Sequence, residues 1–79
     1  MATQIIPGDS WTEIELTEGQ VVQCIGGAGA WLETTEPTDA TARGLFLPVM
    51  PLVPLWYKAA ADITVYVRAQ HKNAEIAVV

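Results

Sequence analysis

Residues 63–79 read Ile63-Thr64-Val65-Tyr66-Val67-Arg68-Ala69-Gln70-His71-Lys72-Asn73-Ala74-Glu75-Ile76-Ala77-Val78-Val79. Ile63, Val65, Val67 and Ala69 fall on one side of an extended chain, and Thr64, Tyr66, Arg68 and Gln70 on the other. A polar break at His71-Lys72-Asn73 follows, and then Ala74, Ile76 and Val78 resume one face. Successive side chains of a strand point to opposite faces, so a period of two marks strands with one buried side. A helix places its apolar residues three and four apart and cannot produce this spacing. The stretch therefore predicts two strands joined as a terminal hairpin, and an all-β chain.

The same period extends upstream. Ile14 and Leu16 share a face in Trp11–Leu16, and Thr17-Glu18-Gly19 makes a turn. Gln20–Ile25 is rich in β-branched residues, with Val22 and Cys24 opposite Val21, Gln23 and Ile25. Gly26-Gly27-Ala28-Gly29 reads as a flexible link of the hairpin kind. Ala30–Thr34 is the next strand, with Trp31 and Glu33 on one side and Leu32 on the other. A polar loop runs from Thr35 to Thr41, and a helical turn could start at Thr38 but would end by Gly44. Leu45–Leu47 and Leu55–Ala59 are further strand candidates. Between them Pro48, Pro51 and Pro54 recur every third residue. Proline lacks an N–H and fixes φ, so this segment is neither a central strand nor a helix. A polyproline ligand is possible on spacing, but an apolar loop or sheet edge is the preferred reading. The expected fold is a small antiparallel β-sandwich, or a barrel-like, jelly-roll-like domain, of about seven or eight short strands. Residues 1–10 are expected as an N-terminal arm or lead-in and residues 11–79 as a single domain.

Size and composition set limits. A chain of 79 residues holds one domain, and a domain this small buries a modest share of its surface. Cys24 is the only cysteine and His71 the only histidine. An internal disulfide and a cysteine-rich zinc site are thereby excluded. Half the residues are apolar and 16% are charged, against roughly 25% in a typical domain. Trp11, Trp31, Trp56 and the apolar run Leu45–Tyr57 exceed what a small core needs. Part of this surplus is expected at a subunit interface rather than in the core.

A net charge of −5, with only Arg43, Lys58, Arg68 and Lys72 as cations, argues against nucleic acid and anionic membranes as partners. The opening MATQIIPGDS has no basic and apolar signal pattern. The longest apolar run is shorter than the ~20 residues of a membrane helix. A chain made and assembled in the cytoplasm is expected, and a lone cysteine suits that compartment.

Candidate chemistry is sparse. A catalytic histidine needs an orienting partner and a nucleophile; His71 reads as an exposed turn residue. Cys24 alternates with apolar neighbours and reads as a small buried hydrophobe. Glu33, Glu36 and Asp39 lack the spacing of a calcium loop and read as solvated. Glu13, Glu15 and Glu18 read as the wet edge of the first strand and turn. The glycines at 26–29 are not followed by the Lys-Ser or Lys-Thr of a phosphate loop. No catalytic, metal or cofactor residue is assigned, and an enzyme is not expected.

From Val21 onward the pieces VVQCIGG (21–27), WLETTEPTDATARG (31–44), PLWYKA (54–59), ITVYVRA (63–69) and AEIAVV (74–79) together resemble a class of small all-β phage virion proteins. These are capsid decoration proteins and head- or tail-attached β-sandwich modules. The apolar insert PVMPLVP departs from that class. The resemblance implies a symmetric homo-oligomer, often a trimer, seated on a major capsid protein or another virion protein. It would be assembled in the host cytoplasm and carried in the virion. It brings no active-site residue. Within it, Ile5, Ile6, Trp31, Leu52, Val53, Leu55 and Trp56 are the expected interface residues, with Ile5 and Ile6 in the arm. The alternatives are a tail, neck or fibre component, or a cellular carbohydrate- or protein-binding module that uses Trp31, Trp56 and Tyr57 as a stacking face.

Overall fold

The computed structural model describes residues 2–38, 44–49 and 56–79. Eight strands are present among them: β1 (Ala2–Pro7), β2 (Thr12–Leu16), β3 (Val21–Gly27), β4 (Ala30–Glu33), β5 (Leu45–Leu47), β6 (Tyr57–Lys58), β7 (Ile63–Ala69) and β8 (Asn73–Val78). They form two four-stranded antiparallel sheets, ordered β1-β8-β3-β6 and β2-β7-β4-β5. The sheets do not close into a barrel, and no described residue is helical. The fold is thus the open, two-layer form of the expected all-β architecture. The helical turn considered after Thr38, and most of the proline segment, lie outside the described residues.

The expected terminal hairpin is not formed. β7 and β8 are both strands, but they belong to opposite sheets. β7 lies between β2 and β4, and β8 between β1 and β3, so each is hydrogen-bonded along both sides and has no edge left for the other. Residues 70–72 form an arch that carries the chain across the core. Gln70 donates its N–H to the Gly29 carbonyl at 3.0 Å, and the Lys72 carbonyl accepts from the Gly8 N–H at 3.0 Å. Val65, Val67 and Ala69 on one side, and Ala74 and Ile76 on the other, are fully buried in one apolar cluster. The alternating pattern thus reports two faces that look at each other. The glycine-rich link at 26–29 behaves the same way, joining β3 of the first sheet to β4 of the second. Among consecutive strands only β4 and β5 pair with each other, across the polar loop.

The core draws on both sheets: Ile6, Val22, Cys24 and Ile76 from one, and Ile14, Leu16, Ala30, Leu32, Leu47, Val65 and Val67 from the other. No polar or charged side chain is buried with them among the described residues. Residues 2–6, expected as a short strand or an arm within the lead-in, form the strand: residues 2–7 pair in register with β8 from Ala2↔Val78 to Pro7↔Asn73. Ile6 is consequently 0% exposed while its neighbour Ile5 is 62% exposed. Ile6 is therefore corrected from interface to core: strand alternation sends it inward and Ile5 outward. Of the strand expected over Leu55–Ala59, Tyr57–Lys58 form a strand and Trp56 and Ala59 do not, while Leu55 lies outside the described residues. Ala59 is buried and closes the edge, donating to the Gln20 carbonyl at 2.9 Å and accepting from the Gly19 N–H at 2.8 Å. A bulge between Cys24 and Gly26 shifts the register of β3 against β8.

Candidate interaction face

The outer face of the sheet β2-β7-β4-β5 carries a row of large side chains. Register places Trp31 of β4 opposite Arg68 of β7 on one side and Phe46 of β5 on the other. The rings of Trp31 and Phe46 lie 4.8 Å apart at 54°, a tilted aromatic pair of the kind that stabilises neighbouring strands. Trp11, just before β2, lies under the Arg68 guanidinium, whose central carbon is 5.3 Å from the ring centroid. Trp11, Arg68, Trp31 and Phe46 are all half-buried. The row therefore runs from the β2 edge to the β5 edge as a ribbon of ring and guanidinium.

One step along the strands, Tyr66 sits between Glu13 of β2 and Glu33 of β4. Desolvation pushes the Tyr66 hydroxyl above its ordinary range, and the negative charges of Glu13 and Glu36 push it the same way. Glu15 continues the acidic edge opposite Thr64. The face thus combines aromatic surface with carboxylates. Arg68, its cation, is engaged with Trp11 and donates from Nη1 to the Gly8 carbonyl at 3.3 Å.

Gly29 makes the Phe46 position possible. It has φ +106°, and a Cβ there would approach Phe46 Cζ to 2.5 Å. Glycine adopts that backbone freely, whereas other residues are strained in it.

The remaining candidates are distributed as follows. Trp31 lies in the aromatic row. Trp56, 47% exposed, directly precedes β6 at the edge of the opposite sheet. Tyr57 packs against the core. Trp31, Trp56 and Tyr57 therefore do not make the single stacking face considered above. Leu52, Val53 and Leu55 lie outside the described residues. His71 is exposed at the arch. Cys24 is buried; its thiol donates to the Gly26 carbonyl at 3.3 Å. Burial raises its pKa, with backbone hydrogen bonds at Gly26 and Gly29 acting in the opposite direction, so the nucleophilic thiolate is disfavoured. A shallow surface depression lined by Glu15, Leu16, Thr17, Asp62, Ile63 and Thr64 lies at one end of β2 and β7. Asp62 is occupied there as an acceptor for the Glu18 N–H at 2.9 Å. Among the described residues no group of three or more His, Cys, Asp or Glu side chains is arranged to hold a metal.

The sequence marks Trp11 and, within the run Leu45–Tyr57, Phe46 as apolar surplus and places Tyr66 and Arg68 on the polar side of their strand, but it does not bring the four together. Each alternates correctly within its own strand, but their assembly depends on register between strands distant in the chain. Comparison with family models, curated proteins and solved structures finds no match to this chain. The class that the fold itself defines is a two-layer, all-β domain with one aromatic and acidic outer face.

Proposed function

We propose that this chain is a structural, non-enzymatic subunit of a bacteriophage virion, a capsid decoration or cement protein that stabilises the shell through its interfaces. The observation that carries the reading is large apolar surface left outside the buried core among the described residues. Trp31 and Phe46 form a half-exposed pair on an outer sheet face, while Trp56 and Ile5 stand 47% and 62% exposed elsewhere. Such surface favours burial against another protein. A standard interface covers about 800 Å² per partner, and the aromatic row, with its half-desolvated Trp residues, has the composition found at interface centres. The partners in this reading are further copies of the chain and a major capsid protein or another virion protein. A tail, neck or fibre location would use the same surfaces.

The test is rebinding of purified protein to virion particles stripped of it, with cryo-electron microscopy of the product. Trp56→Asp and Trp31→Ala are expected to lose occupancy while retaining the β-sheet circular dichroism spectrum. Full occupancy by both variants overturns the reading. The acidic aromatic face also favours a second reading, a carbohydrate-binding module, because sugars stack on rings and donate hydroxyl hydrogens to carboxylates. Saturable glycan binding lost in Trp31→Ala, without affinity for particles, selects that alternative.

A further inference from the structure

The four sheet edges are not equivalent. β2 carries Glu13 and Glu15, β5 has three residues, and β6 has two, one of them Lys58. β1 presents six residues, Ala2-Thr3-Gln4-Ile5-Ile6-Pro7, with no charge among them. It pairs with β8 on one side and, among the described residues, with no strand on the other. Edges are ordinarily protected by charge, proline, brevity or a bulge; the register of β1 against β8 is unbroken, and the one such protection in β1 is Pro7 at its end, which leaves residues 2–6 open.

The hydrogen-bonding phase of that edge follows from one contact. Gly8 N–H donates to the Lys72 carbonyl, continuing the β1–β8 register. In an antiparallel ladder hydrogen-bonded and non-hydrogen-bonded pairs alternate, so Ala2, Gln4 and Ile6 bond inward to β8. Thr3 and Ile5 direct their N–H and C=O groups outward. Pro7, which has no N–H, occupies the next outward position, where a proline is tolerated. Val21 and Val79 exchange both backbone hydrogen bonds, at 2.9 and 3.0 Å. That fixes the odd-numbered residues of β8 toward β3 and the even-numbered ones toward β1, in agreement with this phase.

We propose that β1 pairs antiparallel with β1 of a second copy about a two-fold axis passing beside Gln4. With Thr3 opposite Ile5 of the partner copy and Ile5 opposite its Thr3, the two N–H and two C=O groups of each strand all engage. The result is four hydrogen bonds and a continuous eight-stranded sheet. A register centred on Ile5 would set Thr3 against a proline and lose donors. A second copy suits this edge because two uncharged strands meet without the like-charge repulsion that β2 would bring to a molecule of net charge −5. The exposed Ile5 side chain is then covered by the partner's Thr3. A closed isologous dimer is the commonest symmetric assembly. Its use in a shell rests on the function proposed above, but the pairing is tested apart from it.

Sedimentation velocity of the full-length protein at tens of micromolar is expected to show a dimer. Thr3→Pro removes an outward N–H and leaves the β8 ladder intact, so this variant is expected to be folded and monomeric. Gln4→Cys places thiols across the axis, where Cα atoms of a non-hydrogen-bonded pair are about 4.5 Å apart, within disulfide reach. It is expected to form a covalent dimer under mild oxidation. Thr3→Cys sets its thiols on Cα atoms about 9 Å apart, from the 5.5 Å pair spacing and two residues of strand rise, and is expected to remain uncrosslinked. A monomeric wild type, a dimeric Thr3→Pro, or equal crosslinking of the two cysteine variants each overturns the pairing. A monomer that still binds particles removes the edge pairing alone; a dimer indifferent to particles removes the proposed function alone.

Discussion

Arg68 stacks on Trp11 and joins the two sheets through Gly8: its guanidinium carbon stands 5.3 Å from the Trp11 ring centroid while Nη1 donates to the Gly8 carbonyl at 3.3 Å. Arg68 belongs to β7 in one sheet, and Gly8 follows β1 in the other. The residue therefore clips the start of the chain over the arch that follows β7. Gly8 has no room for a side chain there, since a Cβ would collide with the His71 carbonyl.

Arg68→Met keeps the apolar stem and removes the charge and the donor. A cation–π contact and a charged hydrogen bond at a half-buried site suggest a loss of about 1–2 kcal/mol. Urea denaturation followed by tryptophan fluorescence measures it. An unchanged midpoint would show that the clip contributes nothing.

Adjacent isoleucines should respond very differently. Ile6→Ala opens a cavity in the core and is expected to cost about 2–5 kcal/mol. Ile5→Ala, on the outer side of the same strand, is expected to stay within about 0.5 kcal/mol in dilute solution, where no second copy covers it. Equal losses in chemical denaturation at low protein concentration would contradict the inward and outward assignment.

Gly19 and Gly29 separate backbone strain from crowding. Both have positive φ, +88° and +106°, but nothing lies within 4 Å of a Cβ at Gly19, whereas Phe46 blocks one at Gly29. Gly19→Ala is expected to cost about 1–2 kcal/mol for its backbone alone. Gly29→Ala should cost at least about 1 kcal/mol more and alter the near-ultraviolet signal of the Trp31–Phe46 pair. If the two variants unfold at the same midpoint, Phe46 is not seated on Gly29.

Alkaline stability provides a fourth check. The Cys24 thiol and the Tyr66 hydroxyl both titrate above their ordinary values in the folded chain. Each group therefore keeps its proton in the native state at a pH where the unfolded chain has lost it, and unfolding is favoured as pH rises. Their contribution is full below the unfolded values and declines above about pH 8.5 for the thiol and about pH 10 for the phenol. Urea midpoints measured from pH 7 to 11 should fall, and the fall should be shallower in Cys24→Ala between pH 8.5 and 10. In Tyr66→Phe the relief should appear only above about pH 10. Identical slopes in all three proteins would remove both groups as the cause.

The strands at 63–69 and 73–78 were legible because alternation marks which side chains are buried, and Val65, Val67, Ala74 and Ile76 are buried. Their partners were not legible. A polar break of a few residues suits a hairpin and an arch equally well, and the choice was made by β1, β2, β3 and β4, which occupy every edge of β7 and β8. The interaction face was hidden for the same reason. Trp31 stood out by size, but Phe46 and Arg68 reach it only through the registers Trp31↔Phe46 and Trp31↔Arg68. The one available sign was Phe46 between Leu45 and Leu47, an aromatic on the opposite face from Leu47, which is buried.

The Ala2↔Val78 pairing also bears on the order of events during synthesis. Sheet β1-β8-β3-β6 cannot be completed until β8 has left the ribosome, because β8 is the strand that joins the earliest residues to β3. Until then β1 and β3 both lack their shared neighbour and expose unsatisfied backbone. Closure between distant segments is slow, and open strands in that interval invite aggregation. Nascent chains halted before residue 73 should therefore be protease-sensitive throughout, with protection arising late and all at once.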